Sequence, residues 1–338
     1  MNQTYFDERD VILSVNDYNY LPDSESGAFD IAYGIDKNFL YGCGISIASI
    51  LFANRNNRLA FHVFTDFLTD SVREKFAALA KQYQARIVIY LVNCDTLKSL
   101  PSTKNWSYAT YFRFIIADYF AGKSDKVLYL DADIGCKGSV QELIDLRFTD
   151  NEIAAVVMEG NTAWWTKRAE TLSTPGLAEG YFNAGFLLIN IAAWNTEEIS
   201  KKAIEMLRDP EVTRKITHLD QDVLNMLLVG KARFIDPKFN TQYSLNYELK
   251  KSVVRPVNDK TVFIHYIGPT KPWHLWGDYP VSACFLNAKK HSPWQDDALL
   301  TPKTAAQYRY CAKHQLHQKQ FIKGILSYVL YFKKKITK

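Results

Sequence analysis

Cysteine is scarce in this sequence, and the cysteines present show no pairing pattern. Five of the 338 residues are cysteines, and they are widely spaced with no CxxC motif. An odd number of scattered cysteines argues against a disulfide framework and against a zinc site built on cysteine pairs. We therefore expect reduced thiols in the core of a cytosolic protein at Cys43, Cys94, Cys136, Cys284 and Cys311.

Long hydrophobic runs and glycine-rich motifs are also missing. The opening residues, MNQTYFDERD, lack the basic segment and apolar run of a secretory signal peptide. No stretch reaches the ~18 apolar residues that a membrane-spanning helix requires. Neither GxGxxG nor GxxxxGK[ST] occurs, which argues against a dinucleotide fingerprint and a P-loop. We expect a soluble chain, at most peripheral to a membrane, that binds no nucleic acid because no such module is recognisable.

Acidic residues are absent from the C-terminal tail. Residues 301–338 contain nine Lys or Arg and no Asp or Glu, so the rest of the chain has 32 basic against 36 acidic residues, a net charge of −4. A basic amphipathic helix is typical of binding to an anionic membrane surface. The alternative is a helix that packs on the rest of the protein with its lysines in water. The apolar residues predicted to share one helical face are Phe321, Ile322, Ile325, Leu326, Val329 and Phe332.

The sequence contains apolar runs that alternate with segments of helical periodicity. Strands are predicted over residues 29–36, 59–66, 85–92 and 126–133, and helices over 41–53, 71–83 and 108–120. This alternation predicts an α/β fold with one domain built on a mostly parallel sheet. We expect a loose polar leader over residues 1–27, the α/β domain over 28–280, and a basic helical region over 281–338.

Aspartates follow several of the predicted strands, where ligands bind in open parallel sheets. Asp36, Asp66, Asp131 and Asp133 all occupy such ends. The stretch VLYLDADIG brings two carboxylates close together, which suits a divalent cation completed by phosphates and water. An exposed turn is the alternative for this pair.

A second candidate segment, VFIHYIGPTKPW, follows a later apolar strand. His265 could be a third ligand for an ion such as Mn²⁺, and Lys271 could place an ammonium against a phosphate. Gly268 would let the backbone approach a diphosphate. The alternatives are a core histidine and a solvated lysine.

Further polar candidates lie near the predicted helices. Asp36, Asn38 and Phe39 could bind a nucleoside, although Asp36 could simply cap a helix. Arg113 lies in an otherwise apolar helix, where a buried guanidinium needs a carboxylate or phosphate partner. The side chains that could bind sugar hydroxyls are Asn183, Asp220 and Gln221, with Asp220 and Asp222 as alternative helix caps.

The ordered set of motifs AYGIDKNF, YFRFIIADYF, VLYLDADI, YFNAGFLLIN, HLDQDVLN and HYIGPTKPW resembles glycosyltransferase family 8 over residues 29–280. The resemblance implies a GT-A-type fold and retaining transfer from a nucleotide sugar. It implies Mn²⁺ or Mg²⁺ held by Asp131, Asp133 and His265, and catalytic roles for Arg113, Asp220 and Gln221. The substrate-binding positions that it implies are Gly34, Asp36, Asn38, Phe39, Arg113, Asp131, Ala132, Glu159, Asn183, Ala184, Asp220, Gln221, Gly268 and Lys271.

Shorter features, PSTKNWSYATYFRF and FNTQYSLNYELKKS, are similar to the branch of the family that acts on the lipopolysaccharide core. They imply transfer from UDP-galactose to a core glucosyl residue in α-1,3 linkage, with UDP-glucose as the alternative donor. Because the amide of Gln221 is a poor nucleophile, we expect front-face attack by the acceptor. Two alternative functions remain from other classes of protein: a non-catalytic nucleotide-sugar binder and a self-glycosylating primer.

Overall fold

The structure, a computed structural model, describes residues 4–23, 27–103 and 107–336. Residues 1–3 and 24–26 of the predicted leader lie outside the described residues, as do 104–106 of the PSTKNW stretch and 337–338 of the tail.

The described residues form eleven strands. They are β1 Ile12–Asn19, β2 Phe29–Ile35, β3 Leu59–Thr65, β4 Arg86–Val92, β5 Lys126–Leu130, β6 Ile134–Cys136, β7 Ala154–Val156, β8 Phe186–Asn190, β9 Ala232–Phe234, β10 Thr241–Gln242 and β11 Phe263–His265. The helices are α1 Glu8–Val11, α2 Leu40–Ala53, α3 Asp70–Tyr83, α4 Phe112–Tyr119, α5 Gln141–Asp145, α6 Thr162–Thr171, α7 Ile191–Thr196, α8 Ile199–Arg208, α9 Pro210–Thr213, α10 Asp220–Leu227, α11 Ala283–Lys290, α12 Ala305–His317 and α13 Phe321–Ile336. Short 3₁₀ helices lie at Asp95–Leu97, Tyr108–Tyr111, Pro175–Glu179, Pro237–Phe239, Leu245–Leu249 and Pro280–Ser282.

A sheet with strand order β1-β4-β3-β2-β5-β8-β7-β9 organises the larger of two compact units, which comprises residues 1–43, 55–132 and 140–239. The four strands β4, β3, β2 and β5 are mutually parallel. Their near-continuous apolar sequences, such as LAFHVFT in β3, are buried, as expected of a sheet covered on both faces. The predicted α/β class with a mostly parallel sheet is confirmed.

The carboxyl ends of these parallel strands deliver acidic residues to one edge of the sheet. Asp36 follows β2, Asp66 follows β3 and Asp131 follows β5, as predicted. The predicted strand over 126–133 is wrong in its last residues, because β5 ends at Leu130 and the chain turns before β6. The two aspartates of the DAD motif therefore lie in a turn between strands.

The prediction of a loose leader over residues 1–27 is wrong for its central part. Residues 12–19 form β1, which pairs antiparallel with β4. An edge strand of this kind buries few of its side chains, so its sequence carries little hydrophobic periodicity. The preceding segment is also docked, because the Phe6 amide donates to Asp118 Oδ2 at 2.9 Å. Burial raises the pKa of Asp118 to about 6.

The second compact unit comprises residues 44–54, 133–139 and 240–338. Its sheet has the strand order β10-β11-β6, with β11 antiparallel to β6 and parallel to β10. These pairings place Asp133, just before β6, near His265 at the end of β11. The domain boundaries given above at residues 28 and 281 stay a prediction.

The C-terminal helices of this unit form a hairpin. Helix α12 begins with a capping box in which Thr304 and Gln307 satisfy each other's backbone amides. Helix α13 packs against it through Gly324, whose missing side chain leaves room for Leu316. The Ser327 hydroxyl also donates to Gln315 Oε1 at 2.7 Å. None of the helices in the described ranges is long and apolar enough to cross a membrane.

Candidate active site

Arg113 lies at the centre of a buried polar cluster in the larger unit. Helix α4 carries it beneath the end of β5, where only 3% of its surface is exposed. Its Nε lies 3.0 Å from Asp220 Oδ2, and its second terminal nitrogen donates to Asp131 Oδ1 at 3.4 Å. The guanidinium also packs over the ring of Tyr129, whose hydroxyl donates to Asp131 at 3.0 Å. The carboxylate partner expected for a buried arginine is therefore present.

The cluster places Asp220 in a closed environment. Burial raises the pKa of Asp220 above its ordinary value, and the charge of Arg113 opposes that rise. Its other oxygen accepts a hydrogen bond from Thr110 at 2.6 Å. Burial alone would lower the pKa of Arg113, but the negative partners, Asp220 first, leave it raised. Both oxygens of Asp220 are therefore held by the protein.

The side-chain amide of Gln221 has a defined orientation. Its Oε1 accepts from the Ala184 backbone N–H at 3.1 Å, and a backbone amide can only donate. The same oxygen accepts from Asn183 Nδ2 at 3.1 Å, so Nε2 faces the other way and donates to Glu159 Oε2 at 3.2 Å. The structure thus brings together Asn183, Ala184, Gln221 and Glu159.

Asp222, read from sequence as an alternative helix cap, supports the loop before this site. It is fully buried and accepts from the backbone amides of Thr217 and His218 at 2.7 and 2.8 Å. Tyr181 and Arg168 also bind its first oxygen. These contacts hold Leu219 at a φ of 46°, which is strained for a residue with a side chain. Sequence reasoning missed Tyr181 and Arg168, since neither differs in pattern from an ordinary packed or surface residue.

The residues predicted to bind a nucleoside lie at the end of β2. Asp36 Oδ1 accepts from the Asn38 backbone amide at 2.8 Å, and its Oδ2 accepts from the Ser107 hydroxyl at 2.9 Å. Gly34 lies where a Cβ would clash with Phe112, so its absence of a side chain lets β2 approach α4. Tyr108 donates a hydrogen bond to Asp66. Sequence reasoning missed Ser107 and Tyr108, which lie outside the strand-end pattern.

In the second unit, Asp133 binds two positively charged or chargeable groups. Its Oδ1 lies 3.1 Å from His265 Nε2, and its Oδ2 accepts from Lys271 Nζ at 2.5 Å. Burial alone would raise the pKa of Asp133, but Lys271 and His265 outweigh it and hold the pKa well below its ordinary value. Asp133 is therefore an ionised carboxylate next to an ammonium group.

The donor set fits a divalent cation. His265 Nδ1 lies 3.0 Å from Asn240 Oδ1, which can accept its proton. With a proton held on Nδ1, the lone pair of Nε2 is available as a ligand for a cation. Asp133 and His265 therefore supply two adjacent ligands within this unit, a carboxylate oxygen and an imidazole nitrogen. Carboxylate and imidazole ligands together suit a divalent cation.

Gly268 lies in the turn between His265 and Lys271 and requires glycine. Its φ is +84°, a left-handed conformation that costs other residues about 1–2 kcal/mol. A Cβ would also approach Ser244 Oγ to 2.9 Å. The turn therefore folds back and brings the Lys271 ammonium to Asp133 and to the Tyr266 carbonyl oxygen, 2.8 Å away.

Comparison with known proteins decides the family. Residues 30–277 match the sequence model of glycosyl transferase family 8, and residues 279–335 match that of the family's C-terminal region. The chain belongs to glycosyltransferase family 8. It is therefore a glycosyltransferase, as the motifs predicted.

Several relatives in the family are close to this chain. It is 66% identical over 336 residues to the lipopolysaccharide 1,3-galactosyltransferase of Salmonella typhimurium, covering 99% of both chains. It is 57% identical over 337 residues to the lipopolysaccharide glucosyltransferase WaaO of Escherichia coli, again covering 99% of both. A solved structure of the galactosyltransferase LgtC, in complex with donor and acceptor sugar analogs, matches with 25% identity and a TM-score of 0.66. That match covers 78% of this chain and 96% of LgtC. The GT-A-type fold predicted for this family 8 chain is confirmed.

Proposed function

We propose that the chain transfers galactose from UDP-galactose to a glucosyl residue of the lipopolysaccharide core, in α-1,3 linkage and with retention of configuration. The observation that carries the proposal is the Asp133, His265 and Lys271 cluster in a chain 66% identical to a lipopolysaccharide 1,3-galactosyltransferase. The 57% identity to a lipopolysaccharide glucosyltransferase makes UDP-glucose the second candidate donor.

The leaving group of this reaction is a nucleoside diphosphate, which gains negative charge as the bond to the sugar breaks. Asp131, Asp133 and His265 are the residues that would hold the cation, Mn²⁺ or Mg²⁺ in this proposal, whose positive charge would stabilise the departing diphosphate. Lys271 adds an ammonium group from the protein, and the Gly268 turn lets the backbone approach the phosphates. Uridine binds at Gly34, Asp36, Asn38 and Phe39 in this proposal.

Retention is achieved by front-face attack rather than through a covalent sugar–enzyme intermediate. Both oxygens of Asp220 are engaged by Thr110 and Arg113, and only 4% of this residue is exposed. The Gln221 carbonyl oxygen already accepts two hydrogen bonds, and its amide is a weak nucleophile. Asp220 is therefore not presented for attack on the anomeric carbon. The acceptor hydroxyl therefore attacks on the side of the departing phosphate, whose oxygen receives its proton.

The remaining positions of this cluster bind the hexose and the acceptor. Arg113, Asn183, Asp220 and Gln221 form the hexose pocket, while the buried Ala132 and Ala184 contribute backbone. Glu159 is partly exposed beside Gln221 Nε2, so its carboxylate accepts a hydrogen bond from the acceptor hydroxyls.

The donor and linkage are tested with purified protein, Mn²⁺, and core lipopolysaccharide that ends at the glucosyl residue. We expect UDP-galactose to give an α-1,3-linked product, identified by NMR, faster than UDP-glucose does. Faster transfer from UDP-glucose would favour the second candidate. UDP release without a glycosylated product, or none with either donor, would contradict the proposed function.

We also propose that α13 binds the cytoplasmic face of the inner membrane through anionic lipid. Phe321, Ile322, Ile325 and Phe332 are each at least 55% exposed on this helix, together with Leu326 and Val329. The tail has no acidic residue to oppose the lysines that flank this apolar face. An apolar face bordered by lysines matches the interface of an anionic bilayer, and a lipid-anchored acceptor lies at that surface.

Charge reversal of Lys333, Lys334 and Lys335 to glutamate tests this binding by flotation with vesicles that contain anionic lipid. Each lysine near the surface contributes about 1 kcal/mol, so the variant is expected to partition at least about 100-fold more weakly. The control reverses the exposed Lys250, Lys251 and Lys260, with the same change of charge, and should float like the wild type. Equal flotation of both variants would rule out this surface as the lipid-binding site.

A further inference from the structure

A buried histidine in the C-terminal region lies next to the turn that carries Lys271. His314, on α12, has no exposed surface. Its Nε2 lies 2.9 Å from Asn246 Oδ1 and 3.3 Å from the Thr270 hydroxyl, and its Nδ1 lies 2.7 Å from the Tyr279 hydroxyl. One imidazole ring therefore joins three separate segments of the second unit.

The hydrogen bonds define the state of this ring. Asn246 Oδ1 accepts a hydrogen bond from the Thr270 hydroxyl at 2.8 Å. Because an amide oxygen can only accept, Nε2 of His314 carries the proton and donates it to the same oxygen. Nδ1 then accepts from Tyr279. Burial lowers the pKa of His314 to about 4, which keeps the ring neutral at physiological pH. Both ring nitrogens are thus used in holding Asn246, Thr270 and Tyr279.

Residues in α12 and at its C-terminal end contact both ends of the segment 270–278, which contains Lys271. Thr270 directly precedes Lys271 and is fully buried. At the far end, Gln318 Nε2 donates to the Asp278 carbonyl oxygen at 3.1 Å. Between them the Lys271 backbone amide donates to His274 Nδ1 at 3.1 Å. The position of the Lys271 backbone therefore depends on contacts made from the C-terminal helices.

We propose that His314 is a positioning residue, which fixes Thr270 and so aims the Lys271 ammonium at the departing diphosphate. This inference rests on the proposed role of Lys271 in the reaction. It assigns to the family's C-terminal region a part in donor binding that is separate from its proposed contact with lipid.

The test is a double-mutant cycle that measures the affinity of the full-length protein for UDP with Mn²⁺ by calorimetry. His314→Leu is expected to weaken UDP binding about tenfold in the wild-type background and less than about twofold in the Lys271→Ala background. Thr270→Val, which removes the hydroxyl that contacts His314, Asn246 and Trp276, should behave in the same way. His314→Gln, whose amide can still donate to Asn246, should recover most of the affinity. His317→Leu is the matched control, because His317 is exposed on the same helix.

The outcomes separate this inference from the proposed function. If Lys271→Ala leaves UDP affinity unchanged, the proposed role of Lys271 fails, and this inference fails with it. If Lys271→Ala weakens binding but His314→Leu and Thr270→Val do not, only the positioning role of His314 is wrong. Equal losses in both backgrounds would show that His314 supports the fold without acting through Lys271. Thermal melting of each variant identifies any that fails to fold. If His314→Leu fails to fold, the UDP affinity of Thr270→Val decides whether this contact positions Lys271.

Discussion

Replacing Asp133 with asparagine is expected to lower the rate of hexose transfer about 10³-fold, the size of effect seen when one group that stabilises transition-state charge is removed. The amide cannot carry the negative charge that binds a divalent cation, and Lys271 loses its carboxylate partner. The rate is measured as product formed with saturating donor and Mn²⁺, at a temperature well below the melting transition of the variant.

A second readout separates loss of the cation from general damage. A ligand present at 100 times its dissociation constant stabilises a protein by about 2.7 kcal/mol. Mn²⁺ with UDP should therefore raise the melting temperature of the wild type and leave Asp133→Asn nearly unchanged. The matched control is Asp125→Asn, because Asp125 is exposed at the opposite end of β5. A normal Mn²⁺-dependent shift in Asp133→Asn would exclude Asp133 as a cation ligand.

The strand-end aspartates could be predicted because parallel strands constrain their sequences strongly. A strand buried on both faces must be apolar along its length, so an aspartate directly after it marks the edge of the sheet. Asp36, Asp66 and Asp131 all followed this rule. The same reasoning failed for β1, because an edge strand exposes most of its side chains and lacks that signature.

The supporting residues of the site could not be predicted from the sequence. Tyr129 lies in an apolar strand, where a tyrosine is indistinguishable from a packing residue until its hydroxyl is seen to donate to Asp131. Asp222 lies in the first turn of α10, the helix that begins at Asp220, so both aspartates seemed suited to capping. The roles of Asp220 and Asp222 depend on their contacts with Arg113 and Arg168, respectively, which are distant in sequence.

Replacing Arg113 with methionine is expected to lower the free energy of unfolding by about 3–5 kcal/mol, because Asp220 would remain buried without its positive partner. Equilibrium unfolding in urea measures the loss. Arg86→Met is the matched control, since the Arg86 pair with Asp17 is about 40% exposed and an exposed pair contributes about 0–1 kcal/mol. Adding Asp220→Asn to Arg113→Met removes the uncompensated charge and should recover about 1–3 kcal/mol.

The pH dependence of Arg113→Met follows from the same burial. The pKa of Asp220 is already raised by desolvation, and loss of the guanidinium raises it further. Between the unfolded value of 3.8 and this raised value, the folded protein binds a proton that the unfolded chain releases, so stability falls as pH rises through that window. The deficit relative to wild type should therefore be larger at pH 8 than at pH 5. A deficit that shrinks from pH 5 to pH 8 would contradict this prediction and mean that Asp220 reaches solvent in the variant, because its pKa would then return to its ordinary value while that of the wild type stays raised. In that case the contact with Arg113 is what keeps this carboxylate away from the donor sugar in the wild type.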